Sequence, residues 1–171
     1  MGKLRSYDIG FVGAGNMATA LARGVIRAGL AEPGRVCASD VSPERRAAFV
    51  KATGAVGLEN NGETVEGSEM AIIAVKPQMA DEVLKEVGKR FVRSQIVVSI
   101  AAGVTSGHIE LHCAEPVGVV RVMPNTPALV GEGMSAIAGE SMRRRNSWNG
   151  CARCSRRWGR WWRWRKDSWR R

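Results

Sequence analysis

The sequence lacks long hydrophobic runs and any regular framework of cysteines, and its body has few aromatic residues. No apolar stretch reaches the roughly 20 residues of a transmembrane helix, and residues 1–8 are polar and short, unlike a secretory signal. The four cysteines follow no disulfide spacing, which is typical of a reducing compartment. We therefore expect a cytoplasmic protein that does not span a membrane.

Histidine is also scarce, and the two that occur, His108 and His112, lie one helical turn apart next to Cys113. This spacing can chelate a metal, but the sequence alone places no acid or fourth ligand beside it, so we predict no metal site. Cys151 and Cys154 have the spacing of a redox or zinc pair, which is a weak signal without a second pair. We recognise no Ser-His-Asp or Cys-His arrangement for nucleophilic catalysis.

Positive charge is concentrated at one end of the chain. The formal net charge is +10, but residues 143–171 carry 11 Arg and one Lys against one acid, and residues 1–142 sum to −1. All six Trp also lie beyond residue 142. The total charge is therefore a poor argument for nucleic-acid binding. We divide the chain into a near-neutral domain, residues 5–140, and a basic Trp/Arg-rich tail, residues 141–171, which we expect to be disordered.

Strand-like and helix-like segments alternate through residues 5–140. The predicted strands are residues 8–12, 35–39, 56–58, 70–75, 95–100, 118–123 and 134–138. The predicted helices are residues 16–28, 43–53, 63–66, 78–91 and 105–113. Such alternation predicts an α/β fold with a doubly wound parallel sheet covered by helices on both faces, similar to the Rossmann fold.

The segment Val12-Gly13-Ala14-Gly15-Asn16-Met17 connects the first strand to the first helix. Gly13 permits a tight turn, and Gly15 has no Cβ, so a phosphate can approach the backbone. The N-terminus of the helix offers N–H groups and a partial positive charge to a pyrophosphate. This segment therefore predicts a dinucleotide site.

Asp40 follows the second strand, where a carboxylate can bind an adenosine ribose and repel a 2′-phosphate, which favours NAD. Arg45 and Arg46 lie one helical turn further on, where they could bind the 2′-phosphate of NADP instead. Alternatively, Asp40 only begins a turn and the two arginines face solvent. The sequence therefore leaves open whether the cofactor is NADP or NAD.

Three further motifs end later strands: Ala74-Val75-Lys76-Pro77, Val-Val-Ser-Ile-Ala-Ala-Gly-Val at residues 97–104, and Arg-Val-Met-Pro-Asn-Thr-Pro at residues 121–127. With the first motif, they resemble the pyrroline-5-carboxylate reductase family over roughly residues 8–140. The resemblance implies an oxidoreductase of proline biosynthesis that reduces the C=N bond of 1-pyrroline-5-carboxylate with NAD(P)H to give L-proline. The nicotinamide supplies the hydride, so no catalytic side chain is assigned.

The resemblance also implies which residues bind the cofactor. Residues 12–17 would hold the pyrophosphate, Asp40 the adenosine end and Asn61 the ribose region. Two later segments would line the nicotinamide side, where Lys76 is more typically a positioning residue than a catalytic one. The complete set is Val12, Gly13, Ala14, Gly15, Asn16, Met17, Asp40, Asn61, Ala74, Val75, Lys76, Pro77, Ile100, Ala101 and Ala102.

The tail does not resemble the helical domain through which the family dimerises and binds substrate. If residues 161–166 are encoded TGG-TGG-AGG-TGG-AGG-AAA, a shift of one base gives Val-Glu-Val-Glu-Glu, an ordinary strand pattern. We therefore expect a frameshift, which resequencing of the DNA between the codons for Gly139 and Trp148 tests. The chain itself should bind cofactor weakly and turn over little substrate.

Two other classes of function remain as alternatives. The chain could be another imine or keto-acid reductase, or an NADP reductase linked to coenzyme F420, although the Met-Pro-Asn-Thr-Pro motif argues against both. It could also be a non-enzymatic module whose tail binds nucleic acid through arginine and stacked tryptophan, and such a tail would equally suit an anionic membrane surface.

Overall fold

The structure is a computed structural model that describes residues 6–124 and the backbone of residues 135–139. Strands and helices alternate along these residues, in close agreement with the predicted segments. The strands are β1 (Tyr7–Val12), β2 (Val36–Ser39), β3 (Val56–Leu58), β4 (Ser68–Ile73), β5 (Ile96–Ser99), β6 (Gly118–Pro124) and β7 (Ser135–Gly139). The α-helices are α1 (Asn16–Arg27), α2 (Pro43–Thr53), α3 (Asn61–Gly67), α4 (Pro77–Val87) and α5 (Ser106–His112).

The strands form one sheet in the order β3-β2-β1-β4-β5-β6-β7. Strands β1 to β6 are parallel, and β1 pairs with β2 on one side and with β4 on the other. The chain therefore reverses its direction of winding between β1 and β4. In doubly wound sheets, ligands bind at the carboxyl ends of the strands beside this reversal.

The seventh strand departs from the predicted all-parallel sheet, because β7 pairs with β6 in the antiparallel direction. Only ten residues separate Pro124 from Ser135. A parallel neighbour needs a crossover of a dozen or more residues, usually with a helix, whereas an antiparallel return needs much less chain. The prediction was wrong on this strand for that reason.

Apolar residues cover both faces of the sheet, as a parallel sheet requires. On one face, Phe11 of β1 packs against Phe49 of α2 with ring centroids 6.1 Å apart, and Ala18, Ala22 and Val25 of α1 complete the cluster. On the other face, residues of β4 and β5 pack under α4 and α5, with Leu84 and Ile109 fully buried. This arrangement places α4 and α5 side by side.

Local chemistry explains where several helices begin. The side chains of Ser42, Asn60 and Thr105 each accept hydrogen bonds from backbone N–H groups in the first turn of α2, α3 and α5. Asn60 accepts two, from Gly62 and Glu63, so α3 starts earlier than the sequence indicates. A 3₁₀ turn at Gly88–Arg90 ends α4 before the predicted Phe91.

Within the part of the chain that the structure describes, no helix is long and apolar enough to cross a membrane. The predicted tail, residues 141–171, and the Asn-Thr-Pro motif at residues 125–127 lie outside the described residues. The division into domains and the frameshift therefore stay predictions.

Candidate functional site

Backbone hydrogen bonds join the loops at the carboxyl edge of the sheet. The N–H of Gly13 donates to the carbonyl of Ser39 at 2.8 Å, and the N–H of Ala74 donates to the carbonyl of Val12 at 2.8 Å. The N–H of Ile100 donates to Ile73 at 3.1 Å. The segments predicted from separate motifs thus meet along one edge.

At Gly13, the loop after β1 lies very close to the segment after β4. Its φ is +103°, which side chains rarely tolerate, and a Cβ at this position would lie 2.8 Å from the carbonyl oxygen of Ala74. The structure therefore requires glycine here for two independent reasons, the turn and the contact with the segment after β4.

Gly15 is different, because nothing in the described protein requires it to be glycine. Its φ of −75° is accessible to any residue, and no atom of the described residues lies within 4 Å of a Cβ built there. Gly15 is the N-cap of α1, and it gives that helix no side-chain cap, while the first turn of α1 contains no acid. The backbone is therefore open to an anion at this point, as a pyrophosphate site requires.

Asp40 is buried beside this loop, with its side chain 7% exposed. Its Oδ2 accepts a hydrogen bond from the N–H of Ala14 at 3.0 Å, and its Oδ1 accepts one from the N–H of Ser42 at 3.0 Å. The bond from Ser42 is a turn contact, which agrees with the alternative interpretation that Asp40 begins a turn. The bond from Ala14 joins Asp40 to the glycine loop, which the sequence could not show.

The two arginines after Asp40 occupy different surroundings. Arg46 donates to the backbone carbonyl of Asp40 at 2.8 Å and forms an ion pair with Glu59 at 2.8 Å. Arg45 is 58% exposed, and its guanidinium lies 3.9 Å from Oδ2 of Asp40. Val41, between them and the strand, is 86% exposed. Arg45 is therefore the arginine that can turn toward a ligand, and Val41 offers an apolar contact.

Asn61 lies at the first turn of α3, in a chain of polar contacts that the sequence did not reveal. Ser39 donates its hydroxyl hydrogen to Oδ1 of Asn61 at 2.8 Å, and Nδ2 of Asn61 donates to Oε2 of Glu86 at 2.8 Å. Both ends of the amide are therefore held by the protein. Ser39 and Glu86 are additional members of this group, and only the tertiary structure brings them together.

The segments predicted for the nicotinamide side follow β4 and β5, which lie next to each other on one side of the reversal of the sheet. Ala74 and Val75 are half-buried after β4, Lys76 is exposed at the N-cap of α4, and Pro77 begins that helix. Ala101 is buried after β5, and Ile100 before it is half-buried. Ala102 is exposed.

Together, the parallel order about β1, the open glycine loop and the acid after β2 define a dinucleotide-binding domain of the doubly wound class. The family described as NADP oxidoreductase, coenzyme F420-dependent, matches residues 8–103 of the chain. The chain belongs to this family.

Individual relatives are pyrroline-5-carboxylate reductases. The chain is 35% identical over 133 residues to the enzyme of Pisum sativum and 35% identical over 134 residues to that of Escherichia coli, covering 78% of this chain in each comparison. The crystal structure of Plasmodium falciparum pyrroline carboxylate reductase with NADP bound superposes with a TM-score of 0.75 at 26% identity, over 92% of this chain and 57% of that chain. The chain spans about half the length of the curated relatives it matches, 48% and 50% for these two.

Proposed function

We propose that this chain is the dinucleotide-binding part of an NADP(H)-dependent pyrroline-5-carboxylate reductase, which reduces 1-pyrroline-5-carboxylate to L-proline in proline biosynthesis. The relatives named above support the substrate, and the arrangement of loops at the carboxyl edge supports the cofactor. A cytoplasmic location is part of this proposal and is supported by the free thiols of Cys37 and Cys113.

The cofactor assignment depends on one observation, which is the open space beside Gly15. In the described protein, neither backbone strain nor packing requires glycine at this position, so a ligand that approaches the backbone explains it best. Ala14, Asn16 and Met17 surround it, and the N-terminus of α1 points its unpaired N–H groups at the same place. These groups would bind the two phosphates.

The adenosine end would lie against the segment after β2. Each oxygen of the Asp40 carboxylate accepts one backbone hydrogen bond and retains a second lone pair that can accept from a ribose hydroxyl. Arg45 can rotate toward a 2′-phosphate because its side chain is exposed and its ion pair with Asp40 is long, at 3.9 Å. Val41 would pack against the adenine. We prefer NADP(H) because the exposed Arg45 lies beside Asp40, the residue proposed to bind the ribose that carries the 2′-phosphate.

The nicotinamide would lie over the loops after β4 and β5, between Ala74–Pro77 and Ile100–Ala102. When bound, it supplies the hydride for the C=N carbon of the substrate. The residues of this chain orient the ring and exclude water from one side of it, because Ala101 and the half-buried Ala74, Val75 and Ile100 are apolar. By resemblance, the substrate carboxylate and the homo-oligomer contacts belong to a further domain.

A titration with cofactor tests the proposal, using the change in nicotinamide fluorescence on adding NADPH or NADH to the full chain. We expect binding of both, tighter for NADPH. Gly15→Ala should weaken binding at least about tenfold, because its methyl group occupies the path of the phosphate. Gly24→Ala is the matched control, since a Cβ built at Gly24 also meets no other side chain of the described residues within 4 Å, but Gly24 lies inside α1.

The control should bind as the wild type does and should be about 0.5–1 kcal/mol more stable, because alanine favours the helix. Equal binding by Gly15→Ala and the wild type would contradict the phosphate role. Turnover of 1-pyrroline-5-carboxylate, measured by loss of NADPH absorbance, tests the reaction separately from binding.

A further inference from the structure

Two neighbouring helices, α4 and α5, bring three metal-ligating side chains together. Asp81 lies on α4, and His108 and His112 lie one turn apart on α5. Helices α4 and α5 are neighbours because they follow β4 and β5, which are adjacent in the sheet. The sequence left the histidines without an acid, and the structure corrects this by placing Asp81 beside both.

The distances within this cluster suit a tetrahedral ion. Oδ1 of Asp81 lies 3.1 Å from Nε2 of His108 and 3.6 Å from Nε2 of His112. One ligand atom from each of the three residues can be chosen so that all lie within 4.8 Å of one another. Ligands at about 2.0–2.1 Å from Zn²⁺ in a tetrahedron are roughly 3.4 Å apart, so the two distances from Asp81 bracket this spacing and the two histidine nitrogens would approach each other from at most 4.8 Å.

A hydrogen bond orients the ring of His112 so that its Nε2 faces Asp81. Nδ1 of His112 lies 2.9 Å from the carbonyl oxygen of His108, which can only accept, so Nδ1 carries the proton. In neutral His112, Nε2 therefore presents a lone pair, and it faces a carboxylate that also only accepts. Nε2 of His112 and Oδ1 of Asp81 are therefore two ligand atoms, 3.6 Å apart, that one cation can bind together.

The surroundings hold these ligands in position. The carbonyl of His108 fixes the tautomer and orientation of the His112 ring, as backbone carbonyls do for metal-binding histidines. Nζ of Lys85 lies 2.6 Å from Oδ2 of Asp81, which leaves Oδ1 for the cluster.

Cys113 follows α5 but does not complete the set. Its Sγ donates to the carbonyl of Ile109 at 3.4 Å, so the thiol is held by the backbone of α5 and is not one of the three side chains brought together. The cluster thus offers two imidazoles and one carboxylate, and the half-exposed His108 and Asp81 leave access for water.

We propose that Asp81, His108 and His112 bind a Zn²⁺ ion that bridges α4 and α5, with water completing its coordination. Two imidazoles and a carboxylate are a common ligand set for zinc, and three protein ligands leave one position open. The ion would link the two helices that follow the loops proposed to face the nicotinamide. Its expected effect is therefore a stiffer connection between these helices.

Calorimetric titration of the metal-free full chain with Zn²⁺ tests the site, with the double variant Cys151→Ser/Cys154→Ser as the background, because that pair has zinc spacing of its own. We expect one Zn²⁺ per chain in this background and a higher Tm in its presence. Asp81→Asn and His108→Gln should each weaken Zn²⁺ binding at least about tenfold. Both side chains are about half exposed, so the variants should fold.

Two control variants test whether Zn²⁺ binding depends on the proposed ligands and not on neighbouring side chains. Glu82→Gln removes an exposed carboxylate next to Asp81, and Cys113→Ser removes the thiol that follows His112 in sequence; neither should change Zn²⁺ affinity. Replacing Zn²⁺ with Co²⁺ should give visible ligand-field bands without a thiolate charge-transfer band. The proposal is overturned if Zn²⁺ fails to bind in the background, if Asp81→Asn binds as tightly as Glu82→Gln, or if a thiolate band appears.

Discussion

The N–H of Ala14 and the carboxylate of Asp40 are joined by a hydrogen bond of 3.0 Å between N and Oδ2, although 26 residues separate them in sequence. The bond ties the loop after β1 to the end of β2. Asp40 therefore shapes the proposed phosphate site in addition to facing the proposed ribose position. Because the carboxylate is 7% exposed, water can replace it only in part.

Replacing this carboxylate should lower stability. Asp40→Ala leaves the N–H groups of Ala14 and Ser42 without their acceptor, and a hydrogen bond to a charged group contributes about 1.5–3 kcal/mol net of the exchange with water. We expect a loss of about 2 kcal/mol in the free energy of unfolding, measured with urea. Asp40→Asn should lose less, because its amide oxygen can still accept one of the two bonds.

The matched control is Asp8→Ala at the other end of β1, where the carboxylate is 38% exposed and pairs with Arg35. An exposed pair contributes at most about 1 kcal/mol, so this variant should be affected less. Equal losses for Asp40→Ala and Asp8→Ala would show that the bond to Ala14 adds no stability.

Arg45 should determine the preference between the two cofactors. Arg45→Ala removes the guanidinium proposed to bind the 2′-phosphate, and we expect roughly tenfold weaker NADPH binding, since the side chain is exposed and solvent screens the interaction. NADH binding should change less than about twofold, because NADH has no 2′-phosphate. Fluorescence titration with both cofactors measures the ratio.

Arg27→Ala removes the same charge at the far end of α1, and it should change neither affinity. If Arg45→Ala and Arg27→Ala weaken NADPH equally, the effect is one of total charge and the assignment to Arg45 is wrong.

Most of the fold could be predicted because its signals are local. Ser42 before Pro43 predicted the start of α2, and Gly54, with a φ of +70°, ends that helix as expected. The apolar run at β4 predicted a strand buried on both faces. The direction of β7 was missed, because it depends on the length of the connection rather than on the pattern within the strand.

The site could be predicted only in part. Sequence motifs located the loops, since residues that end parallel strands must share one edge. They could not show that Asp40 contacts Ala14, because that depends on where a side chain points after folding. Asp81 was missed for a similar reason: its contact with His108 spans 27 residues and depends on how α4 packs beside α5.

Gln95 should be important for stability, although it lies outside every motif. It is 2% exposed, its Nε2 donates to the carbonyls of Val65 and Ser68 at 2.6 and 2.8 Å, and its Oε1 accepts from Val92 at 2.9 Å. Gln95→Leu keeps the volume but leaves these three backbone groups without the amide. We expect a loss of about 2–4 kcal/mol in urea unfolding.

The exposed Gln78, near the start of α4, provides the control, and Gln78→Leu should stay within about 0.5 kcal/mol of the wild type. A Gln95→Leu variant as stable as the control would mean that water or rearrangement satisfies the backbone.

Cys37 should be unreactive while the chain is folded. The thiol is fully buried in β2, and desolvation by burial raises its pKa from 9.0 to about 12. At pH 8 the thiolate fraction is therefore about a thousandfold lower than in the unfolded chain, and the thiolate is the species that reacts. Iodoacetamide at pH 8 should leave the Cys37 peptide unmodified in mass spectra and modify it fully in denaturant.

The same shift has a consequence for stability at alkaline pH. The folded state holds the Cys37 proton more tightly than the unfolded state, so its contribution is complete below about pH 9 and is lost as the pH rises from 9.0 toward 12. Cys37→Ala should lack this part of the alkaline loss in urea unfolding measured at pH 8 and pH 10.5. Identical pH dependence in wild type and variant, or rapid alkylation of folded Cys37, would show that β2 opens readily to solvent.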